Sequence, residues 1–488
     1  MGEIKKQSIT NFFYSYIGAA LGFLTIYIQP NLISSSDIGL LRLIYSFSWL
    51  AAIVMPFGIA SITSRFFPRI KNESNINNGF FALLLLISSI GALIIATVLY
   101  LNKTFFISYY QNSPEFPQYF NEAVVFAYIL SLISIYSVYS SSLLKTTFTV
   151  FLSDVFVRLG QLILVIIYHY QFISKHTLVL GYIGVFLLQL ILLIGYLNKI
   201  KSISFKINWN FYKTLPLKEI AYFGILMMFT AFASLCIKYI DQLMIGHFLN
   251  ERLVGIYATC VMMCAIMEIP FNSLERIAQP KISHAWNKND VKEVEKIYQM
   301  SSRYMFFVGS ILFCVLWSSL DFIFIFLPIE YQIGKTTFYL VSISSLINLL
   351  TGVNTSVIIM SHKYFATSFL LFVLMIVSIL CNYWLIQEYG IAGAALSMLI
   401  AISFFNILKY FYILVRFKMQ PFSVHTLYVL FCVSASIVFI LFIPSTIHPF
   451  LKTVLGSGFS VILFSIMNIK FNTIEEVNKI FKRFKIIK

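Results

Sequence analysis

Six ionisable side chains lie within long apolar stretches of this 488-residue chain, where charged residues are rare. Three are cations and three are carboxylates: Arg42, Arg158, Lys238, Asp154, Asp241 and Glu268. Placing a charged side chain at the centre of a bilayer costs about 2.5–3.5 kcal/mol on insertion scales. Each of these residues therefore needs a partner or a wet cavity, and together they are the candidate functional residues.

The three cations suggest recognition of an anionic group. An Arg or Lys fixed in a cavity wall can compensate a phosphate, and Arg can do so through two parallel hydrogen bonds. We therefore rank Arg42 and Arg158 first as substrate-binding residues and Lys238 next. A structural role is the alternative. Asp154 precedes Arg158 by four residues and Lys238 precedes Asp241 by three, which are spacings that favour ion pairs on one helix face.

The carboxylates Asp154, Asp241 and Glu268 are candidates for ion coupling or gating. A carboxylate in an apolar site can carry a proton or bind sodium, so either H+ or Na+ is a candidate coupling ion. Pro56 and Pro270 also lie inside apolar runs. A proline frees a backbone carbonyl and allows bending, so both are candidate hinges, although a fixed kink is the simpler explanation.

The elements that must position these residues are membrane spans. Apolar residues make up 59% of the chain and charged residues 11%, whereas a soluble domain has about 45–50% and about 25%. This composition excludes a soluble globule, a disordered chain and a soluble nucleic-acid-binding protein. A hydrocarbon core of about 30 Å needs about 20 helical residues. We count fourteen such runs: six within 12–198, six within 219–415 and two within 424–468.

The distribution of Lys and Arg tests this count and gives an orientation. With the N-terminus in the cytoplasm, 27 cations fall on the cytoplasmic side, Lys409 among them, and five fall on the outer side. Cytoplasmic loops carry the excess of Lys and Arg in membrane proteins. A missed span would mix the two sets. The pattern therefore predicts an all-α polytopic protein of about fourteen transmembrane helices with both termini cytoplasmic.

Two blocks of six spans resemble each other, which indicates an internal duplication. Three pairs of segments recur in the same order and at the same topological place: Tyr27-Ile28 with Tyr239-Ile240, Met55-Pro56-Phe57 with Ile269-Pro270-Phe271, and Pro68-Arg69-Ile70 with Pro280-Lys281-Ile282. Six is an even number, so both copies enter the membrane from the same side. Parallel repeats of this kind predict a substrate cavity between two bundles that work by alternating access.

The repeat and the spans together predict four regions. They are an N-terminal six-helix bundle (1–205), a second six-helix bundle that repeats it (206–420), two additional transmembrane helices (421–470) and a basic amphipathic cytoplasmic tail (471–488). We find no nucleotide-binding loop, nucleophile elbow or zinc pattern in the sequence, so we expect no catalytic residues, no metal and no cofactor.

Several local patterns resemble those of the polysaccharide flippases in the multidrug/oligosaccharidyl-lipid/polysaccharide exporter superfamily, in which fourteen spans follow a 6 + 6 + 2 plan. The resemblance covers roughly residues 5–420. The segments that carry it are Gln7-Ser8-Ile9-Thr10-Asn11, Gly39-Leu40-Leu41-Arg42, Arg65-Phe66-Phe67-Pro68-Arg69, Asp241-Gln242-Leu243-Met244-Ile245, Val254-Gly255-Ile256-Tyr257 and Tyr389-Gly390-Ile391-Ala392-Gly393-Ala394-Ala395.

The resemblance implies a V-shaped transporter in the bacterial cytoplasmic membrane. Its substrate would be an undecaprenyl-diphosphate-linked oligosaccharide, such as an O-antigen or another surface polysaccharide unit. Its partners would be this glycan, membrane lipids and the polysaccharide polymerase machinery, without nucleic acid. A multidrug exporter of the same fold and a lipid II flippase are the alternatives. A membrane enzyme is disfavoured because the longest outer loop, 102–121, has few groups able to do chemistry.

Overall fold

A computed structural model describes residues 2–70, 79–200, 207–213, 215–361, 365–444, 446–471 and 473–474. Across these residues the regular structure is helical, and no strand occurs in them. Contacts divide the chain into two compact units, Met1–Ala258 and Thr259–Lys488. The region limits expected from the sequence, at 205/206 and 420/421, stay a prediction. Residues 475–488 of the expected amphipathic tail lie outside the described residues.

The described residues of the N-terminal unit form eleven α-helices and part of a twelfth, which crosses the boundary at Ala258. They are α1 (Gly2–Leu32), α2 (Ser35–Val54), α3 (Ile59–Ile70), α4 (Phe80–Leu101), α5 (Lys103–Tyr109), α6 (Phe120–Ser142), α7 (Thr147–Phe151), α8 (Val157–His169), α9 (Lys175–Lys199), α10 (Trp209–Lys213), α11 (Leu217–Phe248) and α12 (Glu251–Cys264).

The C-terminal unit continues from α12 through seven further helices. They are α13 (Glu268–Asn287), α14 (Val291–Ile325), α15 (Lys335–Leu350), α16 (Asn354–Ile359), α17 (Phe365–Phe417), α18 (Val424–Phe442) and α19 (Pro449–Phe471). Asp290 caps the start of α14 by accepting a hydrogen bond from the backbone N–H of Glu293 at 3.1 Å, as its sequence position favours.

Thirteen helical segments within the described ranges are long and apolar enough to cross a membrane. One of them, α17, has 53 residues and contains two helices that meet at Gly390, whose φ of 60° and ψ of −136° are not helical. Separating these two helices gives fourteen, so the sequence-based expectation of an all-α polytopic protein is confirmed. Only glycine adopts such a backbone conformation readily, and it ends the first helix there.

Helix α2 lies at the centre of the N-terminal unit, where it packs mainly against α6 and α11. Two serines of α2 donate hydrogen bonds inside this core: Ser46 to Gln242 Oε1 at 2.9 Å and Ser48 to the carbonyl of Ala123 at 2.8 Å. Near its start α2 also crosses α12 closely, because Gly39 and Gly255 lie where side chains would collide with the carbonyls of the facing helix. This packing fixes the register of Arg42.

Helices α2 and α3 are one expected span, interrupted after Met55. Pro56 is followed by Phe57 and Gly58, which have left-handed φ angles of 45° and 75°. Pro56 removes a backbone donor, and the two left-handed residues prevent the helix from continuing. In the C-terminal unit a 3-10 turn, Ala265–Met267, interrupts the corresponding span just before Pro270. Both expected hinge prolines therefore lie at helix interruptions.

The C-terminal unit has its own apolar core, centred on α14, α18 and α19. Phe306, Phe313, Cys314 and Phe464 are at most 4% exposed within it. At one end of these helices Asp321 of α14 pairs with Lys335 at 2.8 Å and Lys452 at 2.9 Å, which ties α15 and α19 to α14. Both units also carry large exposed apolar side chains, as expected for faces that meet lipid.

Candidate functional site

Arg158 and Asp154 lie where α1 packs against the start of α8. The backbone before α8 forms a short π-helical segment, Leu152–Phe156, which contains Asp154. Ser15 of α1 donates a hydrogen bond to Asp154 Oδ2 at 2.9 Å, and Arg158 donates one to the carbonyl of Gly18. Each member of the expected i,i+4 pair therefore holds a partner on α1. Both side chains are half-buried.

Glycines on α1 make this close contact possible. A side chain at Gly18 would meet the backbone of Asp154, and one at Gly22 would meet Nη1 of Arg158. The four-residue spacing of the two glycines places both on one face of α1. The guanidinium of Arg158 is therefore held against a backbone groove rather than against a bulky side chain.

Arg42 lines a small cavity of the N-terminal unit, with a volume of about 10 Å3. Such a volume holds about one water molecule. Polar neighbours from α1, α8 and α9 share the cavity: Gln29, Gln161 and Tyr182. Arg42 is only half-buried. It thus lies in a polar environment inside an apolar helix bundle, as the hypothesis of a wet site requires.

The three candidate cations converge around Tyr45 of α2. Lys238, Arg42 and Arg158 each lie within electrostatic range of the Tyr45 hydroxyl, and the two arginines lie within range of each other. The Tyr45 ring packs edge-to-face on Tyr239, with centroids 5.9 Å apart. Lys238 is exposed, and its ammonium lies 5.3 Å from the centroid of the Tyr239 ring. Three helices, α2, α8 and α11, thus bring positive charge to one place.

Asp241 has a different environment from Lys238, its expected partner. It is 7% exposed and accepts a hydrogen bond of 2.6 Å from the hydroxyl of Tyr257 on α12. The hydrogen bond of Asp241 thus connects α11 to α12, whereas Lys238 faces Tyr239. A gating role for Asp241 stays a prediction, but in this structure its carboxylate is engaged with Tyr257.

Glu268 belongs to the C-terminal unit, whereas Arg42, Arg158 and Lys238 belong to the N-terminal unit. It is exposed and forms the first residue of α13, directly after the 3-10 turn. A carboxylate in the first turn interacts favourably with the helix dipole. Its role in ion coupling, like that of Asp154, stays a prediction.

Sequence reasoning assigned Lys409 to the cytoplasmic cations, and the structure shows that its side chain is buried in the protein. Lys409 is 2% exposed inside α17 and donates a hydrogen bond of 3.1 Å to Thr355 Oγ1 of α16. Beside it Asn354, Thr351 and Asn406 form a buried cluster of hydrogen-bonded side chains. The signal that could have found this site is the run of polar residues at 348, 351 and 354 in a predicted span.

A family model described as polysaccharide biosynthesis protein matches residues 4–284, which is more than half of the chain. The chain belongs to this family. The match includes residues 4–258 of the N-terminal unit, and therefore Arg42, Arg158 and Lys238. No curated protein matches the chain significantly in sequence.

Solved structures with the same fold are transporters and flippases. The lipid II flippase MurJ in an inward closed conformation aligns over 95% of this chain and 98% of its own, with a TM-score of 0.74 and 14% identity. An inward-facing multidrug resistance MATE family transporter of the MOP superfamily aligns over 84% and 98%, with a TM-score of 0.60 and 11% identity. A MOP superfamily transporter from Pyrococcus furiosus aligns over 85% and 95%, with a TM-score of 0.57 and 13% identity.

These similarities agree with the helices described above. The chain is a multi-pass membrane protein of the polysaccharide biosynthesis family with a flippase or transporter fold. The family and the solved structures are not enzymes, as the sequence led us to expect.

Proposed function

We propose that this protein flips an undecaprenyl-diphosphate-linked oligosaccharide, such as an O-antigen or another surface polysaccharide unit, across the bacterial cytoplasmic membrane. It does so by alternating access, coupled to a gradient of H+ or Na+. The family match supports a role in polysaccharide biosynthesis, and the shared fold supports transport.

One observation carries the choice of an anionic lipid substrate: Arg42, Arg158 and Lys238 gather around Tyr45 in one unit of the membrane domain. A diphosphate carries at least two negative charges that lose hydration in an apolar environment. Three cations close together compensate them, and two arginines add bidentate hydrogen bonds. A multidrug exporter for cationic compounds would need the opposite charge there.

The partners of the two arginines suit a binding site that must also be empty for half of the cycle. Arg158 rests on the carbonyl of Gly18, a neutral acceptor that a phosphate oxygen can replace. Asp154 is satisfied by Ser15 and stays in place when the guanidinium moves. Arg42 lies beside Gln29 and Gln161, which are also uncharged.

The orientation belongs to the same proposal, with both termini in the cytoplasm. Asn112 is exposed in the loop predicted to face outwards, so it suits labelling. In a variant with all six native cysteines changed to Ser, a Cys at position 112 should react with an impermeant maleimide added to intact spheroplasts. Labelling at this position only after the membrane is broken would reverse the orientation.

The function is tested by reconstituting the purified protein into liposomes that contain a fluorescent polyprenyl-diphosphate-linked sugar. Flipping is measured as the fraction of label that an impermeant quencher can reach, with a pH or sodium gradient imposed. Arg158→Gln should lower the rate by at least about tenfold, equivalent to about 1.4 kcal/mol. Arg158→Lys should lose less because it keeps the charge.

Arg65→Gln is the matched control. Arg65 is also an arginine of the N-terminal unit, but it is exposed on α3 and stacks on Phe223, 4.5 Å from the ring centroid. Its loss should leave the flipping rate unchanged. Equal rates in the wild type, Arg158→Gln and Arg65→Gln proteins would leave Arg158 with a structural role only. No flipping by the wild type of any diphosphate-linked sugar offered would contradict the proposed substrate class.

A lipid II flippase is the second candidate, favoured by the alignment to MurJ over 95% of the chain. The assay separates the two candidates when lipid II and a lipid-linked oligosaccharide without a peptide are offered in competition. Preference for the oligosaccharide supports a surface polysaccharide unit. The polymerase machinery of polysaccharide assembly is the expected protein partner.

A further inference from the structure

A buried lysine in the C-terminal unit has no role in the site described above. Lys409 lies in the second helix of α17, which is the last span of the second predicted bundle, and is 2% exposed. Its ammonium donates to Thr355 Oγ1 at 3.1 Å and lies 4.1 Å from the centroid of the Phe405 ring. An ammonium has three N–H donors and no acceptor. The described part of the chain offers it one hydrogen-bond acceptor and one aromatic face.

The groups around Lys409 are mostly uncharged. Helix α16 contributes Thr355 and Asn354, and α15 contributes Asn348 to the same polar cluster. Glu275 of α13 is the charged residue that acts on Lys409 electrostatically. Its Oε1 accepts a hydrogen bond of 2.6 Å from the hydroxyl of Ser356. The lysine and the glutamate thus hold neighbouring residues of one short helix.

Helix α16 therefore lies between a base and an acid. Lys409 binds Thr355, the second residue of this six-residue helix, and half-buried Glu275 binds Ser356, the third. The helix follows a turn in which Gly352 has a left-handed φ of 58° and packs against the backbone of Ser302. A change of charge on either side alters a hydrogen bond that holds α16 in place.

The Asn and Thr side chains continue this contact into the core. Thr355 donates to Asn354 Oδ1 at 3.2 Å, and Asn354 donates to Thr351 at 2.9 Å and to Asn406 at 3.0 Å. Asn406 donates in turn to Asn348 at 3.3 Å. Each of these amides and hydroxyls can reverse or redirect its bonds when the first member of the chain changes its protonation.

We propose that Lys409 is a proton-binding site that couples the proton gradient to transport, with Thr355, Asn354 and Asn406 as the hydrogen-bonded network that rearranges with its charge and Glu275 as its anionic neighbour. The amine nitrogen takes a proton from water to become an ammonium and returns it to water on the other side of the membrane. The proposal rests on the proposed function only in that transport uses an ion gradient. It chooses H+ over Na+, and Lys409 over Asp154, Asp241 and Glu268.

Lysine suits this role because both of its forms fit the site. As an ammonium it donates to Thr355 and faces the Phe405 ring, a cation–π contact. As an amine it keeps an N–H for Thr355 and no longer carries a charge that burial disfavours. Lysine shifts its protonation readily when buried, which arginine does not.

The structure provides an internal probe of α16 that requires no substrate. Trp286 of α13 is buried, and its indole N–H donates to the carbonyl of Val357 on α16 at 3.1 Å. A protein in which the other four tryptophans (Trp49, Trp209, Trp317 and Trp384) are changed to Phe reports this contact alone. Its emission is recorded in detergent between about pH 5 and about pH 10, a range that includes buried lysines.

We expect one sigmoidal change in Trp286 emission that fits the uptake of one proton. Lys409→Met should abolish it, and Lys409→Arg should hold the signal at its low-pH value because arginine stays charged. Lys418→Met is the matched control, because Lys418 is an exposed lysine directly after α17. It should leave the curve unchanged. The same curve in Lys409→Met as in the parent protein would overturn the proposal.

Glu275→Gln gives a second, independent measure if Lys409→Met does not fold. It removes the anionic neighbour that favours the ammonium, so the midpoint should move to lower pH. An unshifted midpoint would contradict the assigned pair. In liposomes, Lys409→Met should flip its substrate at the same rate with and without a pH gradient, while the parent protein accelerates.

The two proposals fail in different experiments. A normal Trp286 titration without flipping of diphosphate-linked sugars would retain the proton site and remove the substrate. Flipping driven by a sodium gradient alone, with no titration of Trp286, would retain the flippase and remove Lys409 as its coupling site.

Discussion

The two units place their membrane-embedded cations in opposite kinds of environment. In the N-terminal unit Arg42, Arg158 and Lys238 are half-buried or exposed and lie around Tyr45. In the C-terminal unit Lys409 is buried among neutral amides and hydroxyls. Like charges that lie close together suit a multivalent anion, whereas a single buried amine can change its charge by binding a proton.

This difference shows that the role of a charged residue in a span depends more on the groups around it than on the number of charges in the span. Arginine stays charged in any protein environment, so a cluster of arginines must be neutralised by a ligand or by water. Lysine can lose its charge instead. The N-terminal unit thus uses the residue that binds phosphate, and the C-terminal unit uses the residue that titrates.

The largest expected effect removes both arginines of the N-terminal cluster. Arg42→Gln combined with Arg158→Gln should weaken binding of a short-chain polyprenyl diphosphate sugar by at least about 100-fold, equivalent to about 2.7 kcal/mol. The measurement is calorimetric titration of the detergent-solubilised protein, with Arg65→Gln as the control. Unchanged binding would show that the two arginines have a structural role only. The proposed difference between the two units would then be wrong.

The next largest effect concerns the contribution of the buried polar cluster in the C-terminal unit to the free energy of unfolding. Asn406→Ala leaves Thr351 and Asn354 without an acceptor they use at 2.9 and 3.0 Å. A buried polar group that loses its partner costs about 1–3 kcal/mol, so unfolding should occur at lower denaturant. The control is Asn31→Ala, because Asn31 is exposed on α1. This change should alter the free energy of unfolding by less than about 0.5 kcal/mol. Equal losses of stability in Asn406→Ala and Asn31→Ala would show that the buried hydrogen bonds of Asn406 contribute no more than the exposed one of Asn31.

Two glycines of α1 separate packing from binding in the N-terminal unit. Gly18→Ala meets the backbone of Asp154, which cannot move aside, and should lower stability by about 1–3 kcal/mol. Gly22→Ala meets only the flexible end of Arg158. It should leave stability nearly intact and weaken diphosphate binding several-fold, as measured by thermal unfolding and calorimetric titration. The reverse result would mean that Arg158 is a packing residue.

The smallest expected effect concerns Lys238 and Asp241. Their spacing favours an ion pair, but Asp241 binds Tyr257 and Lys238 lies over Tyr239. Residues with separate partners usually act additively within about 0.3–0.5 kcal/mol. A double-mutant cycle of Lys238→Gln and Asp241→Asn on stability should therefore show no coupling beyond that range. A larger coupling energy would restore the direct pair and its gating role.

The helical class and the candidate cations could be predicted because both depend on local sequence. An apolar run of about 20 residues gives a span, and an Arg inside it is conspicuous. Their convergence on Tyr45 could not be predicted, because it depends on how α2, α8 and α11 pack together. Pro56 indicated a bend, but the complete break also required the left-handed Phe57 and Gly58.

Lys409 shows the limit of the charge rule. It lies near the predicted end of a span, followed by Arg416 and Lys418, so the sequence favours a side chain that extends to the cytoplasmic surface. Which way it points depends on Thr355 and its hydrogen-bonded neighbour Asn354 in α16, more than 50 residues earlier. Charge counting along one helix contains no information about those partners.

The break between α2 and α3 has a mechanical consequence. Gly58 has a left-handed backbone conformation. Its backbone lies directly on the carbonyl of Gly224 in α11, with no side chain between them. Such a contact acts as a pivot: α3 can turn about it while Ile62, which packs on Gly224, and Phe66, which packs edge-to-face on Phe223, adjust their side chains. Sliding, in contrast, is blocked by the two backbones. The expected motion of α3 is thus a rotation about a fixed point, with α2 and its arginine left in place.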